Sequence, residues 1–189
     1  MKTDKLIPHL GFAVPAVFWL TLLVSGRVYP GYNAVRDLVS QLGALGTPSQ
    51  WVFNPGMILC ALLSLAFAVL LAKVCRERGL SPLPAWLLLV HGISLAGAAL
   101  FPLPLAMHAR AGALGMFLPL PPLAALILWR GEGNRQLRAA AVISLLFMGL
   151  GFTVMFPQWL PELTGLKQRM AHLGWSVWFA GLGWGIRGK

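Results

Sequence analysis

Residues Val52–Val74 read VFNPGMILCALLSLAFAVLLAKV, a run of 23 residues whose one charge, Lys73, stands beside its end. A helix crossing the hydrocarbon of a bilayer needs about 20 mostly apolar residues at about 1.5 Å each, so this run is long enough to span. Working outward in both directions, five further stretches approach the same standard: Leu10–Ser25, Pro84–Pro102, Ala109–Trp129, Arg138–Phe156 and Gln168–Ile186. Together they consume nearly the whole of the 189 residues, and the expectation is one all-α, six-helix polytopic transmembrane bundle over 1–189 with no separate soluble domain. Lys2 and Lys5 before the first run resemble a secretory leader, but the connection after Ser25 leads to five more spans, so the first is read as retained.

Composition agrees. Hydrophobic residues make up 58% and charged ones 11%, where soluble domains average about 45–50% and about 25%. A mean hydropathy of +0.74 excludes disorder and an ordinary soluble enzyme. The net charge of +10 sits between apolar segments, which reads as membrane orientation rather than nucleic-acid binding. Cys60 and Cys75 fall on one expected helix, about 22 Å apart at 1.5 Å per residue, too far to bridge, so free thiols are expected. The chain has no CxxC, P-loop, GxSxG or HExxH, and Met148-Gly149-Leu150-Gly151 follows no strand and is no dinucleotide loop.

Lys and Arg divide unevenly between the two sides. Lys2, Lys5, Lys73, Arg76, Arg78, Arg130, Arg135, Arg138, Arg187 and Lys189 make ten on one side; Arg27, Arg36, Arg110, Lys167 and Arg169 make five on the other. The richer side is expected to be cytoplasmic, which puts both termini inside a cell inner membrane and the first, third and fifth connections outside. Trp86, Trp129 and Trp184 then form an inner aromatic belt, and Trp51 and Trp159 an outer one.

The outward connections carry the chemistry. In Gly26–Trp51, Asn33 is a candidate N-cap and Val35, Leu38, Val39 and Leu42 recur at helical spacing, which predicts a short amphipathic helix with Arg36, Asp37, Ser40 and Gln41 on its other face. Topology brings these four to the same end as Asn54, His108, Arg110, Gln168, Arg169 and His172. Each also has a structural reading: Asp37 pairs with Arg169, Asn54 caps the second helix ahead of Pro55, and His108 and His172 are hydrogen-bonded interfacial residues. His91, mid-span, reads as a neutral imidazole bonded to a neighbouring carbonyl. Pro119, Pro121 and Pro122 must break the fourth span.

Gly31-Tyr32, Arg36-Asp37, Ser40-Gln41-Leu42-Gly43, Pro48 and Asn54-Pro55-Gly56, with Phe101-Pro102, His108 and Arg169, form a pattern that resembles the bacterial and archaeal membrane proteins grouped as domain of unknown function 998. The resemblance implies six spans and no established reaction. Gln41 stands where that family usually has Glu, and Leu103-Pro104 where it usually has an acid.

The expected function is binding of an amphiphile with an anionic head group, a phospholipid or a lipid-linked intermediate, at Arg36, Asp37, Ser40, Gln41, Asn54, His108, Gln168, Arg169 and His172, since guanidinium groups clamp phosphate while a tail lies between helices. No cofactor and no resident metal is expected, no catalytic residue is assigned, and membrane lipid is the expected partner. One alternative is a non-catalytic accessory subunit packed on other membrane subunits through its small residues. Another is a metal-dependent membrane hydrolase using His108, His172 and Asp37, or a haem protein ligated by His108 and His172.

Overall fold

A computed structural model describes residues 3–129 and 135–186. Lys2, Arg130, Arg187 and Lys189 of the charge count lie outside the described residues. The apolar run quoted above is the core of α2 (Gln50–Glu77), which follows α1 (Thr3–Val28). The third segment is α3 (Leu83–Leu87) and α4 (Leu89–Leu100), joined by a tight step at Leu88 where His91 N–H donates to Leu88 O at 3.0 Å. The fourth is α5 (Ala106–Ala113), a 3₁₀ turn at Leu114–Phe117 and α6 (Leu120–Leu128). This is the break the prolines demand. It lies ahead of them, so that Pro121 and Pro122 fall in the first turn of α6, where no N–H is needed. α7 (Arg135–Gly151) and α8 (Thr164–Gly185) complete the chain.

The segments close into a ring: α1 packs on α2, α2 on α4, α4 on α5, α3 on α6, α6 on α7, α7 on α8, and α8 returns to α1. Glycine sets the closest seams. A Cβ on Gly174 would stand 2.8 Å from Met148 N and Ser144 O, and one on Gly11 2.7 Å from Gly183 Cα, so a side chain at either position would force the helices apart. Without a strong hydrophobic drive between helices in lipid, such close backbone contact supplies the packing energy. The small residues on these faces are therefore used within the chain.

Among the described residues five helical segments are long and apolar enough to cross a membrane: Lys5–Val28, Gln50–Glu77, Leu83–Leu100, Ala106–Leu128 and Arg135–Met155. The sixth expected span, α8, is not among these five. Its first three turns carry Lys167, Gln168, Arg169 and His172, and they stay within the protein: Lys167 is 7% exposed and donates to Trp159 O at 2.6 Å and Phe156 O at 3.3 Å.

Two further expectations change. The first connection holds no continuous amphipathic helix: Asn33 Oδ1 accepts Val35 N–H at 2.9 Å and starts one turn, and only the 3₁₀ turn Val39–Gly43 follows. Its polar bonds run instead to α8, with Gly165 N–H donating to Arg36 O and Leu166 N–H to Val35 O. Trp129 is no belt residue; it is buried, its indole N–H on Ser81 O at 2.9 Å. Cys60 and Cys75 are free and buried.

Candidate functional site

The first connection sits over one end of the ring, and beneath it lies a cavity of about 140 Å³. Of the nine candidate residues, four meet there: Ser40 from the connection, His108 from α5, and Gln168 and His172 from α8. His91 of α4, read from sequence as structural, and Ser94 of the same helix are further polar wall residues. Phe18 of α1 and Trp175 of α8 form the aromatic wall, their rings edge to face at 4.8 Å.

Each imidazole is oriented by one nitrogen. His91 Nδ1 meets Ser64 Oγ at 2.9 Å, and that hydroxyl donates to Cys60 O at 2.8 Å, so His91 must be the donor in the pair. His108 Nδ1 faces two carbonyls, Ala98 O at 3.1 Å and Phe101 O at 3.0 Å, and is likewise the protonated nitrogen. His172 is the reverse: its Nδ1 accepts the Trp175 indole N–H at 3.0 Å, so the proton of the neutral ring is on Nε2. Nε2 of His91 and of His172 are buried and have no hydrogen-bond partner among the described residues.

The remaining candidates frame the site without entering it. Gln168 Oε1 accepts Val39 N–H at 2.6 Å, and Gln41 Oε1 accepts Leu38 N–H at 3.0 Å, so this amide does the capping. Asp37 does not pair with Arg169 through its carboxylate; Oδ2 accepts Asn33 N–H at 2.6 Å. Asn54 is not the cap of α2, which begins at Gln50 after Ser49; it lies inside the helix and donates to Gly43 O at 3.1 Å. Arg36 is exposed, and only its carbonyl is engaged by α8.

Arg169 faces a different space. Its Nη1 donates to Asp37 O at 3.2 Å and Gly165 O at 3.0 Å, its Nη2 to Tyr32 Oη at 2.5 Å, and its guanidinium lies 5.6 Å from the Tyr32 ring centre. Burial pushes the Tyr32 phenol above its ordinary pKa, with the Arg169 charge opposing, so the phenol stays neutral and donates to Leu38 O at 3.2 Å. Between this pair and the end of α1 runs a groove of about 480 Å³ walled by Trp19, Leu22 and Leu23, with Arg27 on its rim.

The alternatives that needed a metal or haem do not fit these donors. Among the described residues no group of three His, Cys, Asp or Glu side chains is placed to hold a metal ion, and Asp37 is committed to Asn33. His172 offers Nε2–H rather than a lone pair, so His108 and His172 are not a ligand pair. The two residues that sequence reading missed are His91 and Lys167. A polar residue near the middle of each of two adjacent spans, Ser64 and His91, was the available signal for the first.

The family model for the protein of unknown function DUF998 matches residues 12–185. Neither the curated proteins nor the solved structures contain a match.

Proposed function

The chain belongs to the DUF998 family, and we propose that it is an integral inner-membrane protein of six spans that binds, on its outward side, an amphiphile with an anionic head group. α8 is the sixth span: its 22 residues reach about 33 Å at 1.5 Å per residue, against a hydrocarbon thickness of about 30 Å. Its polar residues are compatible with that depth because they turn toward protein rather than lipid. The excess of ten Lys and Arg over five puts both termini in the cytoplasm and the first connection outside.

The observation that carries the binding reading is the groove beside Arg169, whose lining joins two arginines, Arg27 and Arg169, to the apolar side chains of Trp19, Leu22 and Leu23. Arg169 spends three of its five donors on the protein. The other two remain for an anionic oxygen, with Arg27 opposite, while Trp19, Leu22 and Leu23 accommodate the tail. The head group belongs here and not among the imidazoles, where no wall residue is charged. Arg36, placed in the site by sequence, is not part of the groove.

The test is mass spectrometry of lipids retained by purified protein. Arg27→Gln lowers retained anionic lipid at least about fivefold, a little over 0.9 kcal/mol, while Arg36→Gln, equally exposed but off the groove, leaves it unchanged. Equal profiles for the two variants would overturn the assignment.

A further inference from the structure

The cavity under the connection is a second site, and nothing in it depends on the groove at Arg169. Burying a polar group without a partner is costly, about 1–3 kcal/mol for each donor or acceptor. Two such groups belong to side chains that line one cavity here, His91 and His172. His91 is 2% exposed, and His91 Nε2 and His172 Nε2 both lack partners among the described residues. Both imidazoles pack on Trp175, with ring centroids 4.2 Å and 6.3 Å from its own. An interior that needed only packing would have an apolar side chain at each position.

The hydrogen bonds that hold the rings fix what the free edges offer. His91 and His108 have their protons on Nδ1, toward Ser64 and toward the carbonyls of Ala98 and Phe101, and so present bare Nε2 acceptors. His172 takes the Trp175 indole proton on Nδ1 and so presents an Nε2–H donor. A partner complementary to this set both donates and accepts. It is also uncharged, because the wall contains no Asp, Glu, Lys or Arg to compensate an ion. Size narrows it further: about 140 Å³ is close to the roughly 150 Å³ that admits a benzene ring. Phe18 and Trp175 give that ring aromatic faces to pack against.

We propose that this cavity binds a ring-sized, uncharged, hydroxyl-bearing molecule, its O–H donating to His91 Nε2 or His108 Nε2 and its oxygen accepting from His172 Nε2–H. A hydroxyl is the smallest group that does both. A hydrocarbon ring of the same size leaves both orphaned nitrogens unpaired, and a carboxylate or ammonium would be buried without a counter-charge.

The experiment uses full-length protein with ¹⁵N-labelled histidine in lipid nanodiscs, titrated with phenol and, separately, with toluene. Single His→Phe variants assign the resonances. Before titration the ring ¹⁵N shifts report the Nδ1–H form for His91 and His108 and the Nε2–H form for His172. Phenol moves the Nε2 signals of His91 and His172 saturably, at a concentration at least tenfold below any effect of toluene, and in His91→Phe the response of His172 weakens at least fivefold. Equal responses to the two probes, no response to phenol because the cavity holds water only, or an unchanged phenol response in His91→Phe would each overturn the proposal. A correctly folded His91→Phe is recognised by an unchanged Nδ1–H form of His108.

Discussion

The two polar regions at the connection end are built from similar residues and differ in how far their hydrogen bonds are met. Around Arg169 the contacts within the protein close: the guanidinium serves Asp37 O, Gly165 O and Tyr32 Oη, Tyr32 passes its own proton to Leu38 O, and two guanidinium donors are left for the groove. Around the cavity the pattern stops half way. One nitrogen of His91 and one of His172 is anchored, while the other is buried and empty-handed. The first region therefore behaves as a brace that fastens the first connection to α8, and the second as a prepared surface. What a polar residue has left for a ligand is read here from its unmet bonds, two donors at Arg169 and one nitrogen each at His91 and His172, rather than from its type.

Substitution tests this division, and the largest effect belongs to the brace. Arg169→Ala removes three donors at once and lowers stability by about 2–3 kcal/mol, read as a fall in the thermal midpoint of purified protein. Arg169→Lys recovers less than half of it, since an ammonium does not reproduce the planar fork. If Arg169→Ala were neutral, the brace would not exist. Next comes Gln168→Leu, which strands the N–H of Val39, a residue only 3% exposed; the expected cost is about 1–2 kcal/mol. Asp37→Asn follows, at about 1 kcal/mol, because a neutral amide oxygen accepts the Asn33 N–H more weakly than a carboxylate does. Arg36→Ala is the smallest, within about 0.5 kcal/mol, as for an exposed side chain outside any network. A midpoint for Arg36→Ala as low as that for Arg169→Ala would erase the distinction between the brace and the surface around it.

The spans were legible because an apolar run of membrane length has few other readings, and the break in the fourth because proline lacks a donor wherever it sits. The first connection was misread for a physical reason. Its helical spacing of Val35, Leu38, Val39 and Leu42 is real, but the segment is shaped by Gln168, Gly165 and Leu166, more than a hundred residues away, which take up main-chain groups a helix would have used. The same blindness split the candidate site. Sequence put Arg36, Arg169, His108 and His172 at one end of the molecule, yet nothing in their spacing said that Arg169 faces a groove while the two imidazoles face the interior. His91 escaped notice because a lone histidine in an apolar span reads the same whether its second nitrogen is paired or free. α8 was placed as one more mostly apolar stretch of membrane length, and the low apolarity of its first turns became intelligible only with Lys167 held by the Phe156 and Trp159 carbonyls.

That the cavity is kept polar at the expense of stability is tested most directly by the thermal midpoint of His91→Phe beside wild type, both without added ligand. The substitution keeps a ring of similar size against Trp175 and Phe179, removes one orphaned nitrogen, and leaves Ser64 still donating to Cys60 O. The account predicts a midpoint equal to or above that of wild type. A fall comparable to that of Arg169→Ala would contradict it, and would make His91 one more member of the brace.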